Sequence, residues 1–426
     1  MNGQTADAGI SGSQAQIAGL TNHRYVRWSI YALVAFPIVD YALRYLPGLH
    51  PLGAIWDKVV LLVLAIAACA RYVSGVRPTW LRWQQVALLF ILYVFALMFS
   101  DLSHPVMALE GFRMDIYYML YPLLLPFLVE PDDVPKLLHA AALVAILVGV
   151  DGVYQYVMKT PIPSTWSDVN EQVRTRVFSV MVSPNEMGSY MAMMTPLVAG
   201  LALYERDKWR KGLYCFGVVV CGASLVFTMA RGPWLALTLA LLVVAALVER
   251  RLLIVLVIVA VIAFFLPPIH HRIADLFSPV YLLKASQSGR IAKWITAFGV
   301  MSGNPLFGAG LGHYGGAVAS DFNYSTYSDN YYAKMLGETG LVGLTLFIAL
   351  HLSLFADLFK HAVRRAAGRS KYVVIGGLIG LLAVLFHNFI ENVFEYAPMV
   401  SIYFIYATLL LIWSRGFDGE VRHERT

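Results

Sequence analysis

The sequence predicts an all-α polytopic membrane protein with about 12 transmembrane helices and a long outward-facing loop between the ninth and the tenth. Three observations predict it. Of 426 residues, 59% are hydrophobic and only 14% charged, against roughly 25% charged in soluble proteins. Apolar runs recur from Trp28 almost to the C-terminus, many of them near the roughly 20 residues a helix needs to cross a ~30 Å hydrocarbon core. Basic residues gather in alternate connections, the pattern that orients spans with positive loops toward the cytoplasm.

Residues 1–24 are rich in Gly, Ser, Ala and Gln and lack the basic start and apolar centre of a signal peptide. They are predicted to form a disordered cytoplasmic tail. The transmembrane domain is predicted over 25–414. Its first five spans fall near 28–43, 52–70, 85–100, 114–129 and 138–157, with Arg24 and Arg27, then Arg71, Arg77 and Arg82, marking inward connections. A long outward connection, Met158 to Glu186, follows. Spans near 187–203, 213–229, 233–248 and 252–265 come next, with Arg206, Lys208, Arg210 and Lys211, then Arg250 and Arg251, on the inner side.

The second long outward connection, Pro267 to Gly340, exceeds by far the 2–8 residues that usually join helices in a bundle, and long loops commonly carry function. Within it, Ile291, Trp294, Ile295, Phe298 and Met301 at helical spacing predict an amphipathic helix that Asn304-Pro305 ends. The glycine-rich stretch GNPLFGAGLGHYGG, Gly303 to Gly316, then permits tight turns and close backbone approach. No strand precedes it, so a nucleotide cradle is not expected. Spans near 341–359, 373–389 and 396–413 complete the count, separated by the basic run from Lys360 to Lys371. Arg415, Arg422 and Arg425 put the tail 415–426, like the N-terminus, on the cytoplasmic side.

Cys69, Cys215 and Cys221 all lie in apolar runs, so neither a disulfide framework nor a cysteine zinc site is indicated. The net charge of +6 is dispersed between spans, which excludes a basic nucleic-acid face. No Asp-x-Asp pair lies in an outward loop, and Asp132-Asp133 falls on the inner side. A nucleotide-sugar reaction on a metal is therefore not expected, nor is any cofactor.

Ionisable groups beside outward span ends are costly and usually functional. Arg176 lies in RTRVFSVMVSPNEMGSY, where Asn185 begins the next span; Arg231 lies in TMARGPWLAL, between tightly joined spans; Arg290 lies in SGRIAKW, at the start of the amphipathic helix. Asp329 and Asn330 lie in STYSDNYYAKMLGETGLVGL, with Tyr331 beside them and Glu338 nine residues after Asp329. Plainer readings exist: headgroup anchoring for Arg176, a solvated basic face for Arg290, helix capping for Asp329, an interface aromatic for Tyr331. His313 also reads as a loop histidine beside glycines, and His387, followed by Glu391 and Glu395, as a helix-end residue. Together, three arginines and one or two carboxylates fit a site that binds a diphosphate and takes a proton from a hydroxyl, because the guanidinium fork donates paired hydrogen bonds to phosphate.

RVFSVMVSPNEMGSY, TMARGPWLAL, SGRIAKW, NPLFGAGLGHYGG and DNYYAKMLGETGLVGL occur here in the order in which similar motifs occur in the O-antigen ligase and O-antigen polymerase (Wzy-like) superfamily, and roughly residues 170 to 345 resemble that family. The resemblance implies a GT-C-like integral membrane glycosyltransferase of the bacterial inner membrane with its active site on the periplasmic face. Its donor would be an undecaprenyl-diphosphate-linked oligosaccharide and its acceptor a glycan or lipid A core. Membrane lipids, a polysaccharide flippase and a chain-length regulator would be its other partners. It assigns catalytic roles to Arg176, Arg231, Arg290 and Asp329 and substrate contacts to Asn185, His313, Asn330, Tyr331 and Glu338. Where ligases and many polymerases carry His-Asn before the E-x-G-x-x-G run, this chain has Asp329-Asn330, a pattern similar to that of the SEDS peptidoglycan polymerases. On that ground a polymerase is expected ahead of a ligase. A lipid-linked glycan transporter is the rival of another class, although its internal repeats should place interrupted segments in both halves of the chain.

Overall fold

A computed structural model describes residues 24–162, 175–181, 183–265 and 289–417. The two expected tails, apart from Arg24 and residues 415–417, lie outside the described residues, as do 163–174 and 182 in the first outward loop and 267–288 in the second. All regular structure among the described residues is helical, as an apolar medium requires of any chain that does not close a barrel, because every backbone donor and acceptor must be paired internally.

In chain order the α-helices of five or more residues among the described residues are α1 (Arg24–Val34), α2 (Phe36–Tyr45), α3 (Trp56–Val73), α4 (Arg82–Met98), α5 (Pro105–Ile116), α6 (Tyr121–Leu128), α7 (Val134–Val157), α8 (Pro184–Tyr204), α9 (Lys208–Phe227), α10 (Arg231–Leu247), α11 (Leu252–Phe265), α12 (Arg290–Ser302), α13 (Ala317–Asp321), α14 (Tyr331–Asp357), α15 (Ser370–His387) and α16 (Ala397–Trp413). Among the described residues, five segments are long and apolar enough to cross a membrane: Pro131–Val157, α8, α9, Tyr331–Val363 and α15. The pair α1 and α2, bent by 90°, makes a sixth if taken as one span. α4, α10, α16 and the first part of α11 are apolar but shorter. The chain is an integral membrane protein, with fewer full-length spans among the described residues than the dozen apolar runs predict. The run at 114–129 shows one reason. It is divided among the end of α5, a 3-10 turn at Tyr117–Leu120, and α6, which starts with Tyr121-Pro122 and contains Pro126; proline lacks a backbone donor and crowds the preceding turn.

α8 and α15 make the most extensive helix–helix contact among the described residues. Gly376 and Gly380, four apart on α15, lie where any Cβ would collide with the carbonyl oxygens of Pro196 and Met193 on α8. This is the small-residue spacing that lets membrane helices meet backbone to backbone, where dispersion replaces the hydrophobic effect as the cohesive force. At the opposite extreme α9 and α11 expose Phe216, Val219, Ile254 and Val257, side chains suited to lipid.

Two motifs from the sequence meet at a break in α14. Gly340 has φ +65° and ψ −165°, a conformation that a side chain would oppose, and the helical ladder is interrupted there. The loop from Pro305 to Gly310 fills the gap. Ala309 and Gly310 donate their N–H groups to the carbonyls of Gly337 and Glu338 (2.9 and 3.0 Å), while Leu341 and Val342 donate to the carbonyls of Pro305 and Leu306 (2.9 and 3.2 Å). Backbone groups released by the break are thus paired again inside the protein. The helix also starts at Tyr331, well before the span expected at 341. Lys334, Glu338, Gly337 and Gly340 obscure it in a hydropathy scan, yet both charged side chains are at most 1% exposed.

Candidate functional site

α12 begins at Arg290 after Gly289, and its apolar residues Ile291, Ile295 and Phe298 remain exposed. Its charged face turns toward the start of α14. There Asn330 is the helix N-cap, its Oδ1 accepting from the N–H groups of Tyr332 and Ala333 at 2.9 and 3.1 Å. Capping therefore falls to Asn330 rather than to Asp329. Asp329, one residue earlier, is held at φ +50°, a left-handed conformation that Asp tolerates better than most residues. Its carboxylate faces α12, with Oδ2 3.7 Å from Arg290 Nε and 3.3 Å from Lys293 Nζ. The side chain is 28% exposed, so the group is reachable from outside. Trp294 Nε1 donates to the Ser328 carbonyl at 3.1 Å and Tyr314 OH to that of Lys293, fixing α12 against this segment.

The loop after α15 supplies the next part. Asn392 binds across three elements: its Nδ2 donates to the Gly315 carbonyl at 2.7 Å, and its Oδ1 accepts from the N–H of Asn330 at 3.0 Å. Beside it, Glu391 is buried and accepts from Asn185 Nδ2 at the start of α8 and from its neighbour's N–H at 3.2 Å. Burial pushes the Glu391 carboxyl above its ordinary range; the negative charge of Asp329 adds to the rise and Arg290 works against it. Arg176 completes the group. Its Nε donates to the Thr228 carbonyl at the end of α9 at 3.1 Å and its Nη2 to Asn185 Oδ1 at 3.5 Å, a cation placed where the helix dipole favours one. Arg231 opens α10, and the adjoining Gly232 lies against the His387 ring, which is also within electrostatic range of Arg290.

Arg176, Arg290, Asn185 and Asp329, far apart in sequence, are therefore gathered around the loop that follows α15, and the chain at Arg231-Gly232 passes beside that loop. The other four predicted residues point elsewhere. Asn330 serves its helix. Tyr331 is buried and donates to Asp115 Oδ1 at 2.9 Å. Glu338 is fully buried 2.9 Å from Lys334 Nζ, which also lies 2.7 and 2.9 Å from the two oxygens of Asp115 and 3.7 Å from Glu395. His313 lies beside Asp101, with Nε2 3.4 Å from Oδ2. In this inner cluster burial raises the Glu395 carboxyl to about 7, with Lys334 pulling it down and Asp115 pushing it further up.

Sequence reasoning missed Lys293, Glu391 and the pair Asp115 and Lys334. Lys293 had a usable signal, since it follows Arg290 by three residues on one helix face. Asp115 was an acid in an otherwise apolar run, itself a functional flag. Nothing local linked Glu391 to Asn185. Chemically, the assembly sets guanidinium and ammonium groups beside a partly exposed carboxylate and a buried one, so it can bind an anion and accept a proton.

The O-antigen ligase family model matches residues 216–348, a stretch that contains Arg231, Arg290, Lys293, Asp329 and Glu338 but neither Arg176 nor Glu391. The match supports placement in the O-antigen ligase and polymerase superfamily and a role in membrane-bound polysaccharide and lipopolysaccharide biosynthesis. No curated protein matches the chain.

Proposed function

We propose that this protein is a glycosyltransferase that extends a surface polysaccharide on the periplasmic face of the inner membrane, taking its glycan from an undecaprenyl-diphosphate carrier. The observation that carries the reading is the approach of Arg290 and Lys293 to Asp329 within 3.7 and 3.3 Å, next to a group that joins Arg176, Asn185 and Glu391. In the reaction, the acceptor hydroxyl oxygen bonds to the anomeric carbon while the bond from that carbon to the diphosphate breaks. The electron pair leaves with the diphosphate, whose charge Arg176, Arg231 and Arg290 stabilise, and the hydroxyl proton passes to Asp329. Fixed cations aimed at developing charge usually supply the largest share of catalysis, and here they take the part that a divalent cation plays in many transferases. Asn185 orients the glycan, while Asn330, Tyr331, Glu338 and His313 support the site from behind by fixing the start of α14 and the glycine-rich loop. About twelve membrane passes with both termini in the cytoplasm complete the arrangement, and a flippase and a chain-length regulator would work beside it.

Two observations favour variants of this reading. The description of the matching family as O-antigen ligase favours lipid A core as acceptor. The raised Glu391 carboxyl favours Glu391 as the base, since proton acceptors work best when their pKa approaches the operating pH. The test is glycan formation by purified protein in liposomes supplied with undecaprenyl-diphosphate oligosaccharide, with and without lipid A core. Asp329→Asn and Arg290→Ala should fold normally and lose product formation by about 10²- to 10⁴-fold. Full activity in both variants would remove the site assignment, and product only with lipid A core would replace polymerase by ligase. If Glu391→Gln rather than Asp329→Asn abolished the acidic limb of the pH profile, the proton would go to Glu391.

A further inference from the structure

Away from the region around Asp329, Asp101, His104 and His313 are grouped at metal-ligand spacing. Asp101 lies in the turn between α4 and α5, His104 immediately precedes α5, and His313 lies in the glycine-rich loop. One donor atom from each falls within 4.8 Å of the others. We propose that Asp101, His104 and His313 bind a divalent cation of the zinc class, which clips the α4–α5 turn to the glycine-rich loop.

The outer atoms of all three side chains are already held, leaving inner atoms for a metal. His313 Nδ1 bonds the Leu311 carbonyl at 3.1 Å, which directs Nε2 inward. His104 Nε2 bonds Tyr324 OH at 2.9 Å, leaving Nδ1. Asp101 Oδ1 accepts from the N–H of His104 at 3.1 Å, while Oδ2 is buried and accepts no hydrogen bond. Metal-bound histidines are oriented in this way, their second nitrogen tied to a carbonyl or hydroxyl.

The spacings agree with the ion. Zinc bonds of about 2.0–2.2 Å to nitrogen and oxygen put tetrahedral ligand atoms about 3.4 Å apart. His313 Nε2 lies 3.4 Å from Asp101 Oδ2, and the donor atom of His104 falls within 4.8 Å of both other ligands. Two imidazoles and a carboxylate suit Zn²⁺ better than Mg²⁺ or Ca²⁺, which prefer oxygen. A fourth position remains for water. An adjoining cavity of about 460 Å³, lined by Ser100, Asp101, Asn304, Phe307 and Gly310, gives the ion a way in. Its rim includes the loop that fills the break in α14, so the cation would brace the wall on which Tyr314 contacts Lys293 and Glu338.

The test is zinc uptake, which needs no glycosyl transfer and so stands or falls separately from the proposed reaction. Full-length protein without a polyhistidine tag, stripped with chelator in detergent, is titrated with zinc chloride against a chromogenic chelator. Bound metal is then counted by elemental mass spectrometry. Wild type should bind one Zn²⁺ per chain. Asp101→Asn, His313→Gln and His104→Gln should each weaken binding at least about 100-fold and Tyr324→Phe by about 10- to 100-fold, the range for an outer-sphere partner. His104, with a side chain 45% exposed, is the substitution least able to disturb folding. No uptake by wild type, or wild-type affinity in folded His104→Gln, would overturn the site.

Discussion

Replacing Lys334 by Met isolates the electrostatic role of a fully buried ammonium group while keeping its stem packed. Nζ lies 2.7 and 2.9 Å from the oxygens of Asp115, 2.9 Å from Glu338 and 3.7 Å from Glu395. At an effective dielectric of about 20, a unit-charge pair at about 2.9 Å is worth on the order of 6 kcal/mol. Desolvating each ion costs several kcal/mol in return, so the intact cluster adds little net stability. Its disruption is another matter: Lys334→Met would leave Asp115, Glu338 and Glu395 facing one another without a cation. Breaking a buried pair from one side costs about 3–5 kcal/mol, and that is the destabilisation expected at pH 7. Two further results should follow. Adding Asp115→Asn and Glu338→Gln to Lys334→Met should recover most of the loss, and acidification should narrow the gap as the carboxylates take up protons. The assay is equilibrium unfolding in mixed detergent micelles, followed by tryptophan fluorescence at pH 5 and pH 7. A single variant within about 1 kcal/mol of wild type at pH 7, or a triple variant no more stable than the single, would refute the reasoning.

Glu395 gives a pH prediction. Its carboxyl rises from 4.5 to about 7 on folding, so between those values the native state holds more protons than the unfolded chain. Its contribution is present below about 4.5 and declines as pH climbs toward 7, by roughly 3 kcal/mol in all; Glu395→Gln should flatten that part of the stability profile, and an unchanged slope would contradict it. Gly380→Val should lower the unfolding temperature markedly, because its side chain meets the Met193 carbonyl on α8, and overpacking costs about 1–3 kcal/mol or more. Unchanged thermal unfolding would disprove the close crossing. Gly340→Ala should cost at least about 1–3 kcal/mol through its left-handed backbone alone and increase amide exchange at Ala309 and Gly310, whose N–H groups close the break. Unaltered exchange there would argue against the pairing.

Much of this molecule is legible from local sequence. A helix of apolar residues advertises its medium in each turn, so the membrane class and the end of α12 before Asn304-Pro305 follow from composition and periodicity. Arg176, Arg231 and Arg290 stand out as candidates in the same way, since a charge beside an apolar span is conspicuous wherever it lies. Hydropathy also misleads for a physical reason: it scores side chains as if lipid or water surrounded them. The segment 331–340 looks like loop because Lys334 and Glu338 are charged, yet inside the protein the lysine is paired with Glu338 and Asp115. The run at 114–129 looks like one span because prolines are nearly silent in such a score.

Only the tertiary structure decided which distant groups meet. Asn185 reaches Glu391 because α8 and α15 cross at Gly376 and Gly380, and a crossing depends on the shapes of two surfaces at once. The break at Gly340 exists because the loop Pro305 to Gly310 offers the donors and acceptors that the interrupted ladder needs. Asp101 and His313 become neighbours through the same folded loop. Apolar periodicity records whether a residue is buried; it carries no term for what the residue is buried against, and the chemistry of this site lies in that second quantity.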